Sequence, residues 1–175
     1  MLLAETASPT LVFADVYDAQ IDFVWSMLQR LGVSHAQLDD AAQDVFVVVH
    51  RQLAAFRGAS SVKTWVGGIA VRTAQAYRRK ARRDARGEPW EQHAAVPAPG
   101  RDPQQAAEDA QAWQRLEVLL NTLDDEQRTV FVLSELEEMT APEIAEVVGV
   151  PLNTVYSRLR LARTKLQAAM RGEVR

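Results

Sequence analysis

The sequence of 175 residues contains no cysteine. This absence excludes disulfide-stapled scaffolds, thiolate metal sites, iron–sulfur clusters and cysteine nucleophiles. Long apolar runs are missing as well, because the longest, Val45 to Val49, falls far below the roughly 20 residues that a membrane-spanning helix needs. Glu5, Asp15 and Asp18 interrupt the stretch where a secretory signal would be apolar. From these absences we expect a cytoplasmic protein that does not insert into a membrane.

Signatures of catalysis are scarce. The sequence has no glycine-rich phosphate loop and no serine nucleophile elbow, and its histidines, His35, His50 and His93, lack the spacing of metal ligands. Asp40 and Asp44 share one face of a predicted helix, but no third acidic ligand accompanies them. We interpret these aspartates as a polar contact surface and expect no enzymatic activity, no metal and no cofactor. The alternative is a metal-dependent enzyme that processes DNA or RNA.

Charge is segregated along the chain, although the formal net charge is only −3. Residues 1–50 contain seven acidic and one basic side chain, and residues 57–86 contain one acidic and nine basic side chains. The pattern repeats, because residues 101–150 contain twelve acidic and three basic side chains, and residues 151–175 contain one acidic and six basic side chains. Two acidic-then-basic halves predict two modules, each with one face that binds a polyanion and one that avoids it.

Prolines and glycines cluster between the two halves, at residues 87–104, where no apolar periodicity persists. We interpret this segment as a flexible linker between a first domain, residues 1–86, and a second domain, residues 105–175. Fully extended, the linker reaches roughly 60 Å at about 3.3 Å per residue. It therefore allows the two domains to sit well apart.

Apolar periodicity near 3.6 residues predicts helices in both domains. The first domain has a helical stripe over residues 11–31 and a second helix that begins after Ser34. A third helix begins after Ser60 or Ser61 and runs to about Arg86. The first domain is therefore predicted to contain three helices.

The second domain has four predicted helices. Asp124 with Gln127, and Thr140 with Glu143, have the spacing of N-terminal capping pairs, and Gly149 ends the short helix before the last one. No segment requires a strand. We therefore predict an all-α protein made of two small helical bundles.

The last two of these helices, with the glycine turn between them, have the dimensions of a helix-turn-helix. In such a unit the second helix enters the major groove of DNA. Val155, Leu159 and Ala162 are spaced to face the core. Other faces of the final helix remain for DNA, and they present Asn153, Thr154, Tyr156, Ser157, Arg160 and Arg163, with Arg158 as a partner for a phosphate or an acidic surface. The alternative is a plain helical hairpin with a solvated basic face.

The third helix of the first domain mixes basic with aromatic side chains. Trp65 and Tyr77 offer ring faces on which an unstacked base could lie. The cations that can bind a sugar–phosphate backbone are Lys63, Arg72, Arg78, Arg79, Lys80, Arg82, Arg83 and Arg86. This combination indicates single-stranded nucleic acid as the ligand. The alternative is a core role for Trp65 and a solubilising surface for the cations.

Taken together, these segments resemble a known family, the extracytoplasmic function (ECF) sigma factors of bacterial RNA polymerase. Residues 40–46, with the sequence DAAQDVF, resemble the family's region 2.2, residues 56–70 resemble regions 2.3 and 2.4, and residues 123–166 resemble region 4. The motifs cover most of the chain in the family's order. The family also joins its two domains by a variable segment, to which residues 87–104 correspond.

The resemblance implies a role for each segment. Region 2.2 docks on the clamp helices of the beta-prime subunit of core polymerase, regions 2.3 and 2.4 capture the melted minus-ten element, and region 4 reads the minus-thirty-five element. Core-polymerase contacts are thereby implied for Asp40, Gln43, Asp44, Val45 and Phe46. Minus-ten contacts are implied for Arg57, Lys63, Trp65, Arg72, Gln75, Arg78, Arg79 and Arg82. Minus-thirty-five contacts are implied for Asn153, Thr154, Tyr156, Ser157, Arg158, Arg160 and Arg163.

The function implied by the resemblance is that of an alternative sigma factor. Such a protein binds core RNA polymerase, including its beta subunit, and directs promoter recognition, DNA melting and transcription initiation. The resemblance also implies an anti-sigma factor that covers these surfaces. The alternative is a stand-alone helix-turn-helix regulator, which would share about the last fifty residues but would not need the clamp-binding segment.

Overall fold

The structure, a computed structural model, describes residues 11–84 and 103–172, with side chains from residue 111 onward in the second range. Within these ranges every regular element is helical, which confirms the predicted all-α fold class. Each described helix is too short or too polar to traverse a lipid bilayer. Residues 85–102, which make up most of the predicted linker, and the predicted helix end near Arg86 lie outside the described residues.

Residues 11–84 form the first module, a bundle of three helices. These are α1 (Phe13–Arg30), α2 (Leu38–Gln52) and α3 (Val62–Asp84). Each helix packs against the other two. The apolar side chains that they bury together include Val24, Met27, Leu28, Leu38, Val45, Val49, Val66 and Ile69.

Local hydrogen bonds explain where the helices of the first module begin. The Ser61 hydroxyl accepts a hydrogen bond of 3.0 Å from the backbone N–H of Thr64, so the predicted cap of α3 is confirmed at Ser61. The Ser34 hydroxyl instead donates to Oε1 of Gln37 at 3.0 Å, and a 3-10 turn, His35–Gln37, follows it. Since neither side chain caps the backbone in the usual reciprocal way, α2 begins later than predicted.

Residues 103–172 form the second module, which contains four helices. These are α4 (Pro103–Leu120), α5 (Asp125–Phe131), α6 (Ala141–Val148) and α7 (Leu152–Met170). The fourth helix thus starts inside the segment predicted as linker. A short π-helical turn, Val132–Leu136, continues α5.

The predicted caps of the second module are confirmed. Oδ1 of Asp124 accepts a hydrogen bond of 2.8 Å from the backbone N–H of Gln127 at the start of α5. Thr140 and Glu143 form a reciprocal capping box at the start of α6. Gly149 ends α6 in the left-handed conformation, with φ of 72°, which a residue without a Cβ adopts at little cost.

The two modules pack against each other through α3 and α6. A Cβ at Gly68 of α3 would lie 3.6 Å from Cγ2 of Val147 in α6. The buried apolar residues of both modules form one continuous core. The linker length allows the two domains to sit apart, but in this structure they are in contact, which the separate periodicities of α3 and α6 did not reveal.

Candidate nucleic-acid and partner interfaces

Helix α7 divides into a buried face and an open face. Val155, Leu159 and Ala162 are at most 5% exposed, which confirms that they face the core. The open face presents Asn153, Tyr156, Ser157 and Arg160 to solvent, with Thr154 half-buried beside them. This face has the composition that major-groove contacts require, namely hydrogen-bonding groups near the helix start and a cation farther along.

The cations of α7 are not equally available. Nη2 of Arg158 lies 2.6 Å from Oε2 of Glu126 in α5, which is the acidic-surface role predicted as one of two options. Arg163 donates to Oε1 of Glu135 at 2.6 Å, and this hydrogen bond lowers the pKa of the Glu135 carboxyl. Among the described residues, Arg160 has no ion-pair partner. It is the cation of this helix that is freest to bind a phosphate.

Aromatic rings mark the start of α3. The rings of Phe56 and Trp65 are stacked at a tilt, with centroids 4.8 Å apart and planes at 36°. Trp65 is half-buried and packs against the core. The side chain therefore serves the core with one part of its surface and stacks on Phe56, the residue before the loop of residues 57–61, with another.

The predicted minus-ten cations, of α3 and of the loop before it, fall into two groups. Arg57, Arg72 and Arg79 are exposed, and Gln75 lies half-buried among them. The other cations contact carboxylates of the second module, namely Arg78 and Arg82 at Asp125 and Lys63 at Glu137. Half of the predicted minus-ten cations thus have an ion-pair partner within the chain.

Tyr77 connects α3 to α2. Its hydroxyl donates to Oδ2 of Asp44 at 2.8 Å. Burial, followed by the hydrogen bond to Asp44, raises the pKa of Tyr77 to about 12. The hydroxyl end of this side chain is therefore held by α2 rather than directed toward a nucleic acid.

An open groove with a volume of about 740 Å³ runs between α1 and α2. Its α1 wall is made by Phe13, Tyr17, Ile21 and Trp25, and its α2 wall includes Asp39, Gln43, Phe46 and His50. The Trp25 indole donates to Oδ1 of Asp39 at 3.1 Å across the groove, and the Tyr17 and Phe46 ring centroids are 4.6 Å apart. This aromatic groove is suited to an apolar helix.

Of the residues of α2 that were predicted to contact polymerase, one is inaccessible in the structure and three are exposed to solvent. Val45 is fully buried, because it faces α1 and α3 in the core, and it has no surface for a partner. Phe46 is 4% exposed and reaches the surface only as part of the groove wall. Asp40, Gln43 and Asp44 are exposed on the outer face of α2.

Sequence reasoning missed the α1 wall of this groove. The predicted helical stripe over residues 11–31 treated the apolar residues of α1 as one core face, whereas Ile21 and Trp25 are only half-buried. Phe13, Tyr17, Ile21 and Trp25 recur every four residues, which places them on one face of a helix beside the buried face. That second apolar stripe was the available signal.

Two further groups have no place in the sequence predictions. Asp125 and Glu137, which bind the α3 cations, were noted only as part of an acidic half.

In the part of the chain that the structure describes, no three His, Cys, Asp or Glu side chains lie close enough together to hold a metal ion.

Two families match the chain, one for each module. Sigma-70 region 2 matches residues 16–84, and Sigma-70 region 4 matches residues 113–166. Among curated proteins, RNA polymerase sigma factor YlaC of Bacillus subtilis (strain 168) is 32% identical over 131 residues, which cover 75% of this chain and 76% of that protein. The ECF RNA polymerase sigma-E factor of Haemophilus influenzae is 30% identical over 143 residues, which cover 77% of this chain and 75% of that protein.

Solved structures show the same fold. The sigma factor RpoE from Bartonella quintana, solved with the anti-sigma factor NepR, superposes with a TM-score of 0.71 at 20% identity, over 91% of this chain and 96% of that one. CnrH, solved with the cytosolic domain of CnrY, gives a TM-score of 0.67 at 22% identity, over 93% of this chain and 89% of that one. Both helical modules described above therefore have counterparts in known structures.

Proposed function

This chain belongs to the ECF sigma factors of RNA polymerase, and we propose that it performs their function through the surfaces described above. As an alternative sigma factor it binds core RNA polymerase and directs transcription initiation. The observation that carries the proposal is the presence of both regions in one chain, with an open face on α7 in the second. A stand-alone regulator is not favoured, because it leaves the first module without a role.

The groove between α1 and α2 is the proposed docking site for the clamp helices of the beta-prime subunit. Its aromatic walls offer apolar area to a partner helix, and Asp39 and Gln43 line it with negative and polar groups. Asp40 and Asp44 add negative charge to the exposed face of the same helix. Such a surface selects a partner with basic side chains around an apolar stripe. The second module is proposed to contact the beta subunit.

The open face of α7 is the proposed reader of the minus-thirty-five element. Asn153, Tyr156 and Ser157 stand near the start of the helix, where side chains reach base edges in the major groove. Arg160 is placed one turn later to bind a phosphate and fix the register. Arg158 and Arg163 contribute mainly by holding α7 on its acidic neighbours, Glu126 and Glu135.

The start of α3 and its exposed cations are the proposed site for the melted minus-ten element. Arg57, Arg72 and Arg79 supply positive charge to the backbone of a single strand. The loop of residues 57–61, bordered by Phe56 and Trp65, supplies the rim of a pocket for an unstacked base. Capture of that base offsets an unstacking cost of a few kcal/mol.

The protein is proposed to catalyse no reaction and to need no cofactor, because it acts through binding energy alone. We further propose that it works in the cytoplasm, where bacterial polymerase and promoters are. RpoE, a structural neighbour, was solved with an anti-sigma factor. An anti-sigma factor is accordingly proposed as a regulator of this chain.

Run-off transcription tests the proposal. The purified chain is mixed with core polymerase and a randomised promoter library, and RNA is sequenced to find start sites. We expect transcripts from a defined promoter class that are absent without the chain. No initiation at any start site, or metal-dependent DNA cleavage that Asp40→Ala abolishes, would overturn the assignment.

A matched pair of variants tests the groove. Asp40→Arg with Gln43→Arg places positive charge on the groove wall and on the exposed face of α2 beside it, and is expected to weaken binding to core polymerase by about tenfold or more. Asp18→Arg changes an exposed residue of α1 that does not line the groove and serves as the control. Equal binding by both variants would contradict the proposed docking site.

A further inference from the structure

The open face of α7 presents apolar side chains as well as polar ones. Tyr156 is 55% exposed and Leu161 is 44% exposed, although both side chains are apolar over most of their surface. Both lie within the first ten residues of the helix, Leu152–Met170. Attraction by charge brings such a face to a polyanion but does not involve apolar surface. These two side chains can therefore contribute to DNA binding through contacts with the apolar parts of the duplex.

Helical geometry places Tyr156 and Leu161 among polar side chains. Residues four apart lie in one row along a helix, so Asn153, Ser157 and Leu161 form one row. Tyr156 and Arg160 form a second row beside it, and all five side chains are exposed. The apolar groups thus alternate with hydrogen-bonding groups and a cation, whereas a surface for an apolar partner is contiguous. This mixed face suits the edges of base pairs.

The hydrogen-bonding capacity of the face is limited. The Ser157 hydroxyl donates to the backbone carbonyl of Thr154 at 2.9 Å, so its lone pairs remain to accept a hydrogen bond. Arg158 and Arg163 pair with carboxylates of the second module, and the proposed role of Arg160 is to bind a phosphate. Guanine presents two acceptors in the major groove. The face therefore has few donors for guanine, and its choice of bases depends on other contacts.

The apolar group that distinguishes base pairs in the major groove is the C5-methyl of thymine. An apolar side chain that packs on this methyl removes apolar surface from water on both sides of the contact. Over another base, the same side chain covers polar atoms to which it offers no hydrogen bond, and this costs free energy. Apolar side chains on this face therefore discriminate in favour of thymine.

On the basis of the function proposed for α7, we propose that Tyr156 and Leu161 are specificity-determining residues that pack on thymine methyl groups in the major groove. The two residues are five positions apart, which is about 7.5 Å along a helix with a rise of about 1.5 Å per residue. This distance corresponds to roughly two steps of a duplex with a spacing of about 3.4 Å. The element that α7 reads therefore contains two thymines within about three base pairs of each other, on either strand.

Replacement of thymine by deoxyuridine tests the proposal, because it removes the methyl group and keeps the base pair. The full chain with core polymerase, the holoenzyme, first selects a promoter from the randomised library. Each thymine of the minus-thirty-five element is then replaced in turn, and binding of the holoenzyme to each duplex is measured by competition. We expect two thymines at which deoxyuridine weakens binding about fourfold, which is the effect of one buried methyl group.

Matched variants connect each thymine to one side chain. Tyr156→Ala should abolish the effect of deoxyuridine at one of the two thymines, and Leu161→Ala at the other, because the methyl group has lost its contact. Tyr156→Phe keeps the ring and should keep the effect. Met170→Ala shortens an exposed apolar side chain at the far end of the same helix and is the control. Since all of these side chains are exposed, no substitution leaves a core cavity, and the variants are expected to fold.

Promoter selection gives a second readout that does not depend on a modified base. The same library is selected again with the holoenzyme of each variant. The preference for thymine should weaken about fourfold at one position with Tyr156→Ala and at the other position with Leu161→Ala, and both preferences should persist with Met170→Ala. An unchanged preference with either of the first two variants would overturn the contact assigned to that side chain.

The outcomes separate this inference from the proposed function. A selected element without two closely spaced thymines, or fewer than two thymines at which deoxyuridine weakens binding at least about twofold, would overturn the inference, while promoter-specific initiation would still support the function. Effects of deoxyuridine that persist in both alanine variants, or that disappear in Tyr156→Phe, would overturn the assigned contacts. If the holoenzyme initiates at no promoter, the proposed function fails and the inference fails with it.

Discussion

Helices α3 and α7 are both long, basic and assigned to DNA, yet the structure uses their cations differently. Arg158 and Arg163 of α7 pair with carboxylates of their own module, Glu126 and Glu135, and the open face of the helix stays exposed. Three cations of α3, Lys63, Arg78 and Arg82, pair with carboxylates of the other module, Asp125 and Glu137. Similar composition thus leaves the proposed duplex-binding face of α7 open, whereas part of the proposed single-strand site on α3 is engaged by the other module.

The comparison between α3 and α7 requires that α7 has one buried and one exposed face, and the largest expected effect tests this. Leu159 is 5% exposed and Leu161 is 44% exposed. Leu159→Ala should lower the free energy of unfolding by about 2–5 kcal/mol, because it leaves a cavity in the core, whereas Leu161→Ala should cost less than about 1 kcal/mol. Urea denaturation of the matched pair measures the difference. Equal costs would mean that α7 does not present the faces described.

A smaller effect is expected at Arg160, the cation of α7 that has no ion-pair partner among the described residues. Arg160→Gln should weaken promoter binding by the polymerase holoenzyme by up to about tenfold, to a similar degree for all promoter sequences, and should reduce the salt slope by about 1, because one phosphate contact is lost. Arg115→Gln removes the same charge from an exposed position of α4 and is the control. A slope unchanged by Arg160→Gln would rule out the phosphate contact.

The smallest expected effect concerns the attachment of α3 to α2. Tyr77→Phe removes the hydrogen bond to Asp44 and should lower the free energy of unfolding by about 0.5–1.5 kcal/mol near neutral pH. The folded-state pKa of Tyr77 is raised to about 12, above its ordinary value of about 10. The stabilisation from this group is therefore complete below pH of about 10 and is lost as pH rises toward about 12.

Urea titrations of the native chain and the Tyr77→Phe variant at neutral pH and between these two pKa values measure that loss. The stability difference should shrink in the alkaline window, since only the native chain has the titrating phenol. A difference that stays constant with pH would show that the Asp44 contact does not shift the proton equilibrium of Tyr77.

Much of the local structure could be predicted because its causes are local. Capping residues such as Ser61, Asp124 and Thr140 satisfy backbone groups within their own first turn. The buried face of α7 follows from the spacing of Val155, Leu159 and Ala162. Ser34 is the exception, because its hydroxyl donates a hydrogen bond to the side chain of Gln37 and does not cap the backbone.

The candidate sites were predictable in part. The open face of α7 matches the expectation from spacing, since a helix surface is fixed once its core face is known. Val45 was assigned to a partner but lies in the core, because a motif marks a segment and does not say which side of it is accessible. The aromatic stripe of α1 was absorbed into the core prediction for the same reason.

The sequence by itself determined the helices, their order, the family and the two basic surfaces, because these depend on periodicity, capping and charge among residues that are near one another in the chain. Only the tertiary structure decided which carboxylate meets which cation. Arg30 and Glu137 are 107 positions apart, and Asp125 and Arg78 come from different modules. Pairings over such separations depend on how two apolar faces pack, and no local pattern encodes that geometry.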